Sequence, residues 1–137
     1  LHSASEILKE QSTNITAGDK ENNQLKMCEI TKELRNELHH NNIDAMGEIL
    51  HEGWMLKKTL ANGISNPKID ECYDIAMKHG AIGGKLLGAG GGGFLLFYVP
   101  EKRQQEVRLA LPLTEMPFTF DTQGSAVIYV GTKPDIF

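Results

Sequence analysis

The order of helical and strand-like patterns along this chain predicts an α+β fold, with helices packed on one face of an antiparallel sheet. Helical spacing of apolar residues dominates as far as residue 79. Two apolar, strand-like segments follow, joined by a glycine-rich turn, and after them come one helical and two further strand-like segments. Helices and strands segregated in this way are typical of α+β domains. A ferredoxin-like topology is the natural candidate, provided that one more strand lies upstream of Leu1.

The first two helices are predicted from their spacing. Residues 3–11 predict a short helix and residues 12–19 a loop, because Gly18 and Asp19 form a turn signal. Residues 20–40 predict a longer helix that ends at Asn41 and Asn42. Its apolar side chains recur every three or four residues: Met27, Ile30, Leu34 and Leu38.

Two more helices precede the strands. Residues 44–60 predict a helix that Gly63 ends, and the short break before it favours an antiparallel helical hairpin. Asn66 is a good N-cap, and Pro67 suits the first helical position, where its missing N–H is not needed. We expect the helix that begins there to run to about residue 79, where Gly80 stops it.

The second half of the chain predicts the sheet. Residues 82–87 and 94–99 are apolar and predict two strands on either side of the glycine-rich turn. Residues 101–111 predict a helix. Residues 118–120 alternate as a short strand, residues 122–124 form a turn, and residues 125–130 predict the last strand.

The composition fits one globular domain. The 137 residues are enough for a single core, and 40% hydrophobic with 23% charged residues exclude a disordered chain. A net charge of −4 without a basic run argues against nucleic acid or a membrane surface as partner. Cys28 and Cys72 lack Cys-x-x-Cys spacing, which fits a reducing cytoplasm better than a disulfide scaffold, although one bridge between them stays open.

The glycine-rich turn is the most informative feature of the chain. Eight of the 14 glycines lie between Gly80 and Gly93, and the last four are consecutive. Ordering four glycines costs about 2–4 kcal/mol relative to alanine, so the bare backbone is expected to have a role. Peptide N–H groups that approach an anion without side chains in the way are such a role. The alternative is a flexible hairpin tip or linker, but the buried strand that follows at once argues against it.

Two common phosphate-binding motifs do not fit this turn. The Walker-type loop needs Gly-Lys-Ser/Thr at the start of a helix, whereas Lys85 is followed by Leu86 and a strand comes next. The dinucleotide fingerprint needs a βαβ unit around the glycines, and none is predicted here.

The segment from Gly80 to Gly93 resembles the third signature motif of the GHMP small-molecule kinases. Residues 51–58 and 64–67 are similar to one branch of that family, the bacterial heptose phosphate kinases, and so are residues 4–11. The resemblance covers nearly the whole chain, is specific from about residue 53 to 100, and is loose after residue 101. It implies that residues 1–137 are the C-terminal domain of a longer, two-domain kinase.

The resemblance also implies the partners of this domain. ATP and Mg²⁺ are the expected cofactors, and a sugar or sugar phosphate is the expected acceptor. The main phosphate loop, the Mg²⁺ ligand and the catalytic acid would belong to the chain's own N-terminal domain. We therefore assign no catalytic residue and no metal ligand here and expect this chain to be inactive alone. The localisation expected is the cytoplasm, and homo-oligomerisation stays open.

The resemblance places nucleotide-binding residues in and before the turn, which would close over the nucleotide phosphates and the acceptor. The residues so assigned are Lys85, Gly88, Ala89, Gly90, Gly91, Gly92 and Gly93. Lys85 has an alternative on the solvated face of its strand. Trp54, Lys57 and Lys58 lie within about one helical turn and are candidates for the acceptor-sugar site. The alternative for them is a core tryptophan with solvated lysines.

Other polar pairs carry weaker signals. His39 and His40 lack a third ligand at metal-binding spacing and fit the end of a helix. Asp70 and Asp74 fit a solvated helix edge better than a catalytic pair. The alternative function for the whole chain is a stand-alone regulatory domain that binds a small anion without catalysis.

Overall fold

A computed structural model describes residues 4–18 and 20–127 of the chain. Within them, five helices and two strands follow one another in the order expected of an α+β fold, which confirms the fold class. The elements are α1 (Ala4–Thr16), α2 (Glu21–His39), α3 (Ala45–Lys58), α4 (Pro67–Lys78), β1 (Gly83–Leu86), β2 (Leu95–Tyr98) and α5 (Glu101–Ala110). No helix in these residues is long and apolar enough to cross a membrane.

Helix α1 is longer than the sequence predicts, so the predicted loop at residues 12–19 is wrong for residues 12–16, and residue 19 lies outside the described range. The hydroxyls of Thr13 and Thr16 donate to carbonyls four residues earlier, at 3.0 and 2.9 Å, within the helix. The Asn14 amide donates to the Leu60 carbonyl at 2.8 Å, and Ile7 is buried in the core. Contacts to a distant part of the chain therefore keep this last stretch helical.

The predicted helix boundaries at Asn41 and Asn66 are confirmed. Asn41 adopts a φ of 58°, a left-handed conformation that asparagine tolerates better than most residues. The Asn66 side chain accepts hydrogen bonds from the N–H groups of Lys68 and Ile69, at 3.1 and 3.0 Å, and so caps α4. Pro67 occupies the first helical position.

The sheet has two antiparallel strands in the described part of the chain, with Gly83 opposite Tyr98 and Leu86 opposite Leu95. The predicted strand at residues 118–120 is wrong. Phe118 and Phe120 are 62% and 77% exposed and contact each other edge to face, 5.4 Å apart. Alternation alone does not make a strand, because a strand needs a partner edge. Residues 125–127 form no strand, and residues 128–130 lie outside the described range.

The core lies between the sheet and the helices that pack on it. Its largest fully buried side chains are Trp54, Tyr73, Ile7, Leu60 and Ile64. Each such side chain contributes about 1.5–3 kcal/mol on burial. A smaller buried cluster forms where α4 meets α5, and Phe97 contacts both clusters. Of the two cysteines, Cys72 is buried and Cys28 exposed, and both are free thiols, so the single bridge left open by the sequence is not formed.

Helix α3 packs directly along β1, and two glycines make this close approach possible. A Cβ atom on Gly83 would overlap the Gly47 carbonyl oxygen, and one on Gly47 would lie 2.8 Å from the Ile82 side chain. From Gly47 to Lys57 the helix advances about 15 Å. From Gly83 to Gly88 an extended chain advances about 16 Å. The C-terminal end of α3 therefore reaches the turn that follows β1.

Candidate functional site

Residues 87–94 join β1 to β2 and are called the glycine loop below. The loop is closed at its base by a hydrogen bond from the Leu87 N–H to the Phe94 carbonyl, 2.8 Å long. Four of its residues have positive φ, a conformation that side-chain-bearing residues rarely adopt. These φ values are 97° at Gly88, 134° at Gly90, 75° at Gly91 and 127° at Gly93.

The glycine loop is attached to the connection between α3 and α4. The Gly91 N–H donates to the Ile64 carbonyl at 3.0 Å, and the Asn66 amide donates to the Gly91 carbonyl at 3.3 Å. Gly90 lies so close that a Cβ atom there would be 2.6 Å from the Ile64 Cα. These contacts argue against the flexible-linker alternative, because a linker makes no such backbone contacts.

Five peptide N–H groups between Gly88 and Gly93 donate no hydrogen bond to the described part of the chain. They belong to Gly88, Ala89, Gly90, Gly92 and Gly93. All five residues are at least partly exposed. Runs of unpaired backbone N–H groups in turns with alternating φ signs form concave anion sites. The loop therefore has the donors that an anion such as a phosphate group requires.

Two lysines lie at the base of the loop. Lys57 donates from Nζ to the Gly88 carbonyl at 3.2 Å. Burial, together with the nearby positive charge of Lys85, lowers the pKa of Lys57 below its usual 10.5. Lys85 is half-buried on β1 and makes no ion pair or side-chain hydrogen bond with the described residues. Of the three predicted lysines, Lys57 therefore contacts the loop directly, and Lys85 lies on the strand that leads into it.

Lys58 has a different environment from Lys57. Its ammonium group forms an ion pair with Asp70, 3.1 Å away, and lies 5.9 Å from the centre of the Trp54 ring. The same Asp70 oxygen accepts a hydrogen bond from the Ser65 hydroxyl at 2.8 Å. Lys58 and Asp70 therefore join the end of α3 to the start of α4, which agrees with a structural role for Asp70.

Trp54, the third predicted acceptor-site residue of α3, is 1% exposed. Its ring lies 6.3 Å from that of Tyr73 within the core. This burial agrees with the alternative interpretation of a core tryptophan, since a buried indole offers no surface to a sugar.

Two contributions near the loop are not evident from the sequence. Asn66 is predictable as a helix cap, but its amide contact with Gly91 depends on how the loop folds back. Tyr73 donates to the Gly84 carbonyl of β1 at 3.3 Å and lies 2.9 Å from His51 Nδ1. Because a phenol has one proton, this donation requires His51 to donate from Nδ1. Burial raises the pKa of Tyr73 to about 12.

A cleft of about 270 Å³ lies beside the glycine loop. One wall is the first turn of α4, and the floor is formed by apolar side chains of the two strands. The residues that line it include Asn66, Lys68, Leu86, Gly92 and Leu95. The cleft therefore combines an apolar floor with polar groups at its edge, as small-molecule sites do.

The fold and the loop together define an α+β domain with an ordered, glycine-rich turn between its two strands. Residues 32–115 match the family model described as GHMP kinases C terminal. The chain therefore belongs to the GHMP kinase family, and the matched part is its C-terminal domain. This confirms the resemblance that the glycine motif carries.

Two curated relatives support the same family. The chain is 32% identical over 82 residues to D-glycero-alpha-D-manno-heptose 7-phosphate kinase of Campylobacter jejuni. The aligned residues cover 58% of this chain and 24% of that protein. The chain is also 32% identical over 87 residues to the bifunctional fucokinase/GDP-fucose pyrophosphorylase of Arabidopsis thaliana, covering 63% of this chain and 8% of that protein. The match thus spans a quarter or less of each relative, and both relatives are sugar kinases by name.

Proposed function

We propose that residues 1–137 act as the C-terminal domain of an ATP-dependent sugar kinase whose acceptor is a heptose phosphate. The family supports the kinase activity, and the Campylobacter jejuni relative, which is named for a heptose 7-phosphate, supports the acceptor. The fucokinase relative supports the wider class of sugar acceptors. The partner in this proposal is an N-terminal domain of the same protein, in the cytoplasm, where ATP is available.

The observation that carries this proposal is the attached glycine loop, in which five N–H groups between Gly88 and Gly93 have no partner among the described residues. Phosphoryl transfer depends mostly on positioning and on stabilising the charge of the transferred group. Donors that are already fixed in place need no rearrangement when that charge develops. Each hydrogen bond to a charged group is worth about 1.5–3 kcal/mol. The loop residues Gly88 to Gly93 are therefore assigned to nucleotide phosphates, with the acceptor nearby.

The residues of the loop fit the phosphates of ATP, because unpaired N–H groups and two lysines supply donors and positive charge. The Mg²⁺ that accompanies ATP neutralises charge on its phosphate oxygens. We assign its ligands to the N-terminal domain, since the described part of this chain has no group of three acidic, histidine or cysteine side chains that could hold a metal. This chain would orient the phosphates and exclude water.

The test is a phosphorylation screen of the complete enzyme against sugars and sugar phosphates. Phosphoryl transfer from ATP to a heptose phosphate is the expected result. Phosphate binding without transfer to any acceptor would favour the alternative of a regulatory anion-binding domain.

A variant of the loop tests its role directly. Gly92 has open space around it, so Gly92→Leu should fold as the parent does but obstruct the approach of a ligand. We expect kcat/KM to fall about 100-fold, because small displacements of reacting groups have effects of that size. The melting temperature is the control. Unchanged turnover by a correctly folded Gly92→Leu enzyme would contradict the assignment of the loop.

A further inference from the structure

Lys57 and Lys85 form a pair of positive charges that no carboxylate neutralises within residues 4–18 and 20–127. Neither takes part in the ion pairs of this region, whereas Lys58 pairs with Asp70 and Lys26 with Glu52. Their side chains are half-buried, so solvent shields them less than it shields lysines on the open surface. Two like charges held near each other destabilise the charged forms unless an anion lies between them.

The packing of α3 along β1 holds this pair together. The contact between Gly47 and Gly83 sets α3 along β1, and the helix then carries Lys57 to the end of the strand that bears Lys85. The hydrogen bond from Lys57 to the Gly88 carbonyl fixes the ammonium group at the base of the loop. The positive charge of Lys85 contributes, after burial, to lowering the pKa of Lys57, as expected for two ammonium groups that this packing brings near each other.

We infer that the ammonium groups of Lys57 and Lys85 bind one terminal phosphate group, such as that of a phosphate monoester, at the base of the glycine loop. This inference rests on the proposed function and names a group of its ligand. A phosphate monoester carries nearly two negative charges at neutral pH and presents three acceptor oxygens, which matches two cations. Lys58 takes no part, because Asp70 already neutralises it.

Lys57 also connects the bound phosphate to the loop. An ammonium group has three N–H donors, and one of them is used by the Gly88 carbonyl. The other two remain for phosphate oxygens, so Lys57 can hold the loop and the ligand at the same time. Binding of the phosphate should therefore change the environment of the loop residues next to Gly88.

Titration of this chain with inorganic phosphate tests the inference. Backbone amide signals in ¹H–¹⁵N NMR spectra report binding, and the Gly88 and Ala89 signals should shift. The variants are Lys57→Met and Lys85→Met, which keep most of the unbranched side chain and remove its charge. Lys32→Met, at an exposed lysine of α2, is the matched control.

We expect Lys57→Met and Lys85→Met each to weaken phosphate binding about tenfold or more, as loss of one charged hydrogen bond does. The control should bind as the parent does. Equal affinities in all four proteins, or shifts confined to residues away from the loop, would overturn the inference. The spectra also show whether each variant is folded. Because Lys57 and Lys85 are replaced in separate variants, the contribution of each lysine is tested independently.

Kinetics of the complete enzyme identify the source of the phosphate. If it belongs to a phosphorylated acceptor, Lys57→Met should raise KM for that acceptor and leave KM for ATP unchanged. If it belongs to the nucleotide, the reverse should hold. Unchanged values of both constants would overturn the inference while leaving the kinase proposal in place. An enzyme that transfers no phosphate to any sugar would contradict the kinase proposal. The phosphate titration would still test whether Lys57 and Lys85 bind a phosphate group.

Discussion

Replacing Gly90 by alanine should destabilise the fold through the contact between the glycine loop and the α3–α4 connection. Gly90 has a φ of 134°, and an added Cβ atom would lie 2.6 Å from the Ile64 Cα and 3.0 Å from the Ile64 carbonyl oxygen. Both of these are backbone atoms, which cannot rotate away as the end of a flexible side chain can. The alanine variant must therefore shift the loop or the connection.

The expected magnitude follows from two contributions. An alanine held at such a φ costs about 1–3 kcal/mol. Forcing an extra carbon against well-packed atoms costs about 1–3 kcal/mol more. Partial relaxation of the loop reduces the sum, so we expect a loss of about 3 kcal/mol in the free energy of unfolding. For a chain of this size that corresponds to a decrease of about 10 °C in melting temperature.

The matched control is Gly92→Ala, two residues further along the same loop. Its added Cβ atom would meet nothing within 4 Å, and its φ lies outside the left-handed range. Its stability should stay within about 0.5 kcal/mol of the parent. Urea and thermal denaturation followed by circular dichroism measure both variants. Equal stabilities of the two variants would refute the contact between the loop and Ile64.

Two further predictions concern the supports of the loop and the sheet. Asn66→Ala should reduce stability by about 1–2 kcal/mol in urea denaturation, because it removes the helix cap and the contact with Gly91. Asn66→Asp keeps the cap and should lose less than half as much; equal losses would contradict this division. Tyr73→Phe should cost about 1 kcal/mol through the lost hydrogen bond to Gly84. At high pH the parent should also lose its stability advantage over Tyr73→Phe. Because burial raises the native pKa of Tyr73 to about 12, its contribution is complete below the unfolded value of 10 and declines as pH rises through 12. A difference between parent and Tyr73→Phe that stays constant over that pH range would contradict the burial of the phenol.

The sequence predicts the elements whose cause is local. Asn66 and Pro67 specify the start of α4 because capping involves only the next three residues. Asn41 ends α2 for an equally local reason. The last part of α1 escapes prediction because the contact from Asn14 to the Leu60 carbonyl is distant in sequence.

The predicted strand at residues 118–120 is wrong for the converse reason. Phe118 and Phe120 satisfy the alternation of a strand, yet pairing requires another strand with a free edge in the right place. Whether such a partner strand exists cannot be read from the sequence of the segment itself. In the structure these rings contact each other instead of a sheet.

The site was predictable only in part, because the glycines reveal the backbone conformation but not what the loop touches. Glycine permits the positive φ found at Gly88, Gly90, Gly91 and Gly93, although Gly92 in the same run does not adopt it. The sequence does not reveal that Lys57 and Lys58 have different environments. Adjacent residues on a helix point about 100° apart, so the orientation of α3 decides which lysine meets the loop.

That orientation is set far from the lysines, at the other end of α3. Gly47 and Gly83 allow the helix and the strand to touch backbone to backbone, and this contact fixes both the rotation and the axial position of the helix. Ten residues after Gly47, the Lys57 side chain reaches the Gly88 carbonyl and donates a hydrogen bond to it. Any larger residue at the glycine pair would lift α3 from β1 and move Lys57 away from Lys85. The two glycines are therefore part of the physical basis of the proposed anion site, although neither one belongs to it.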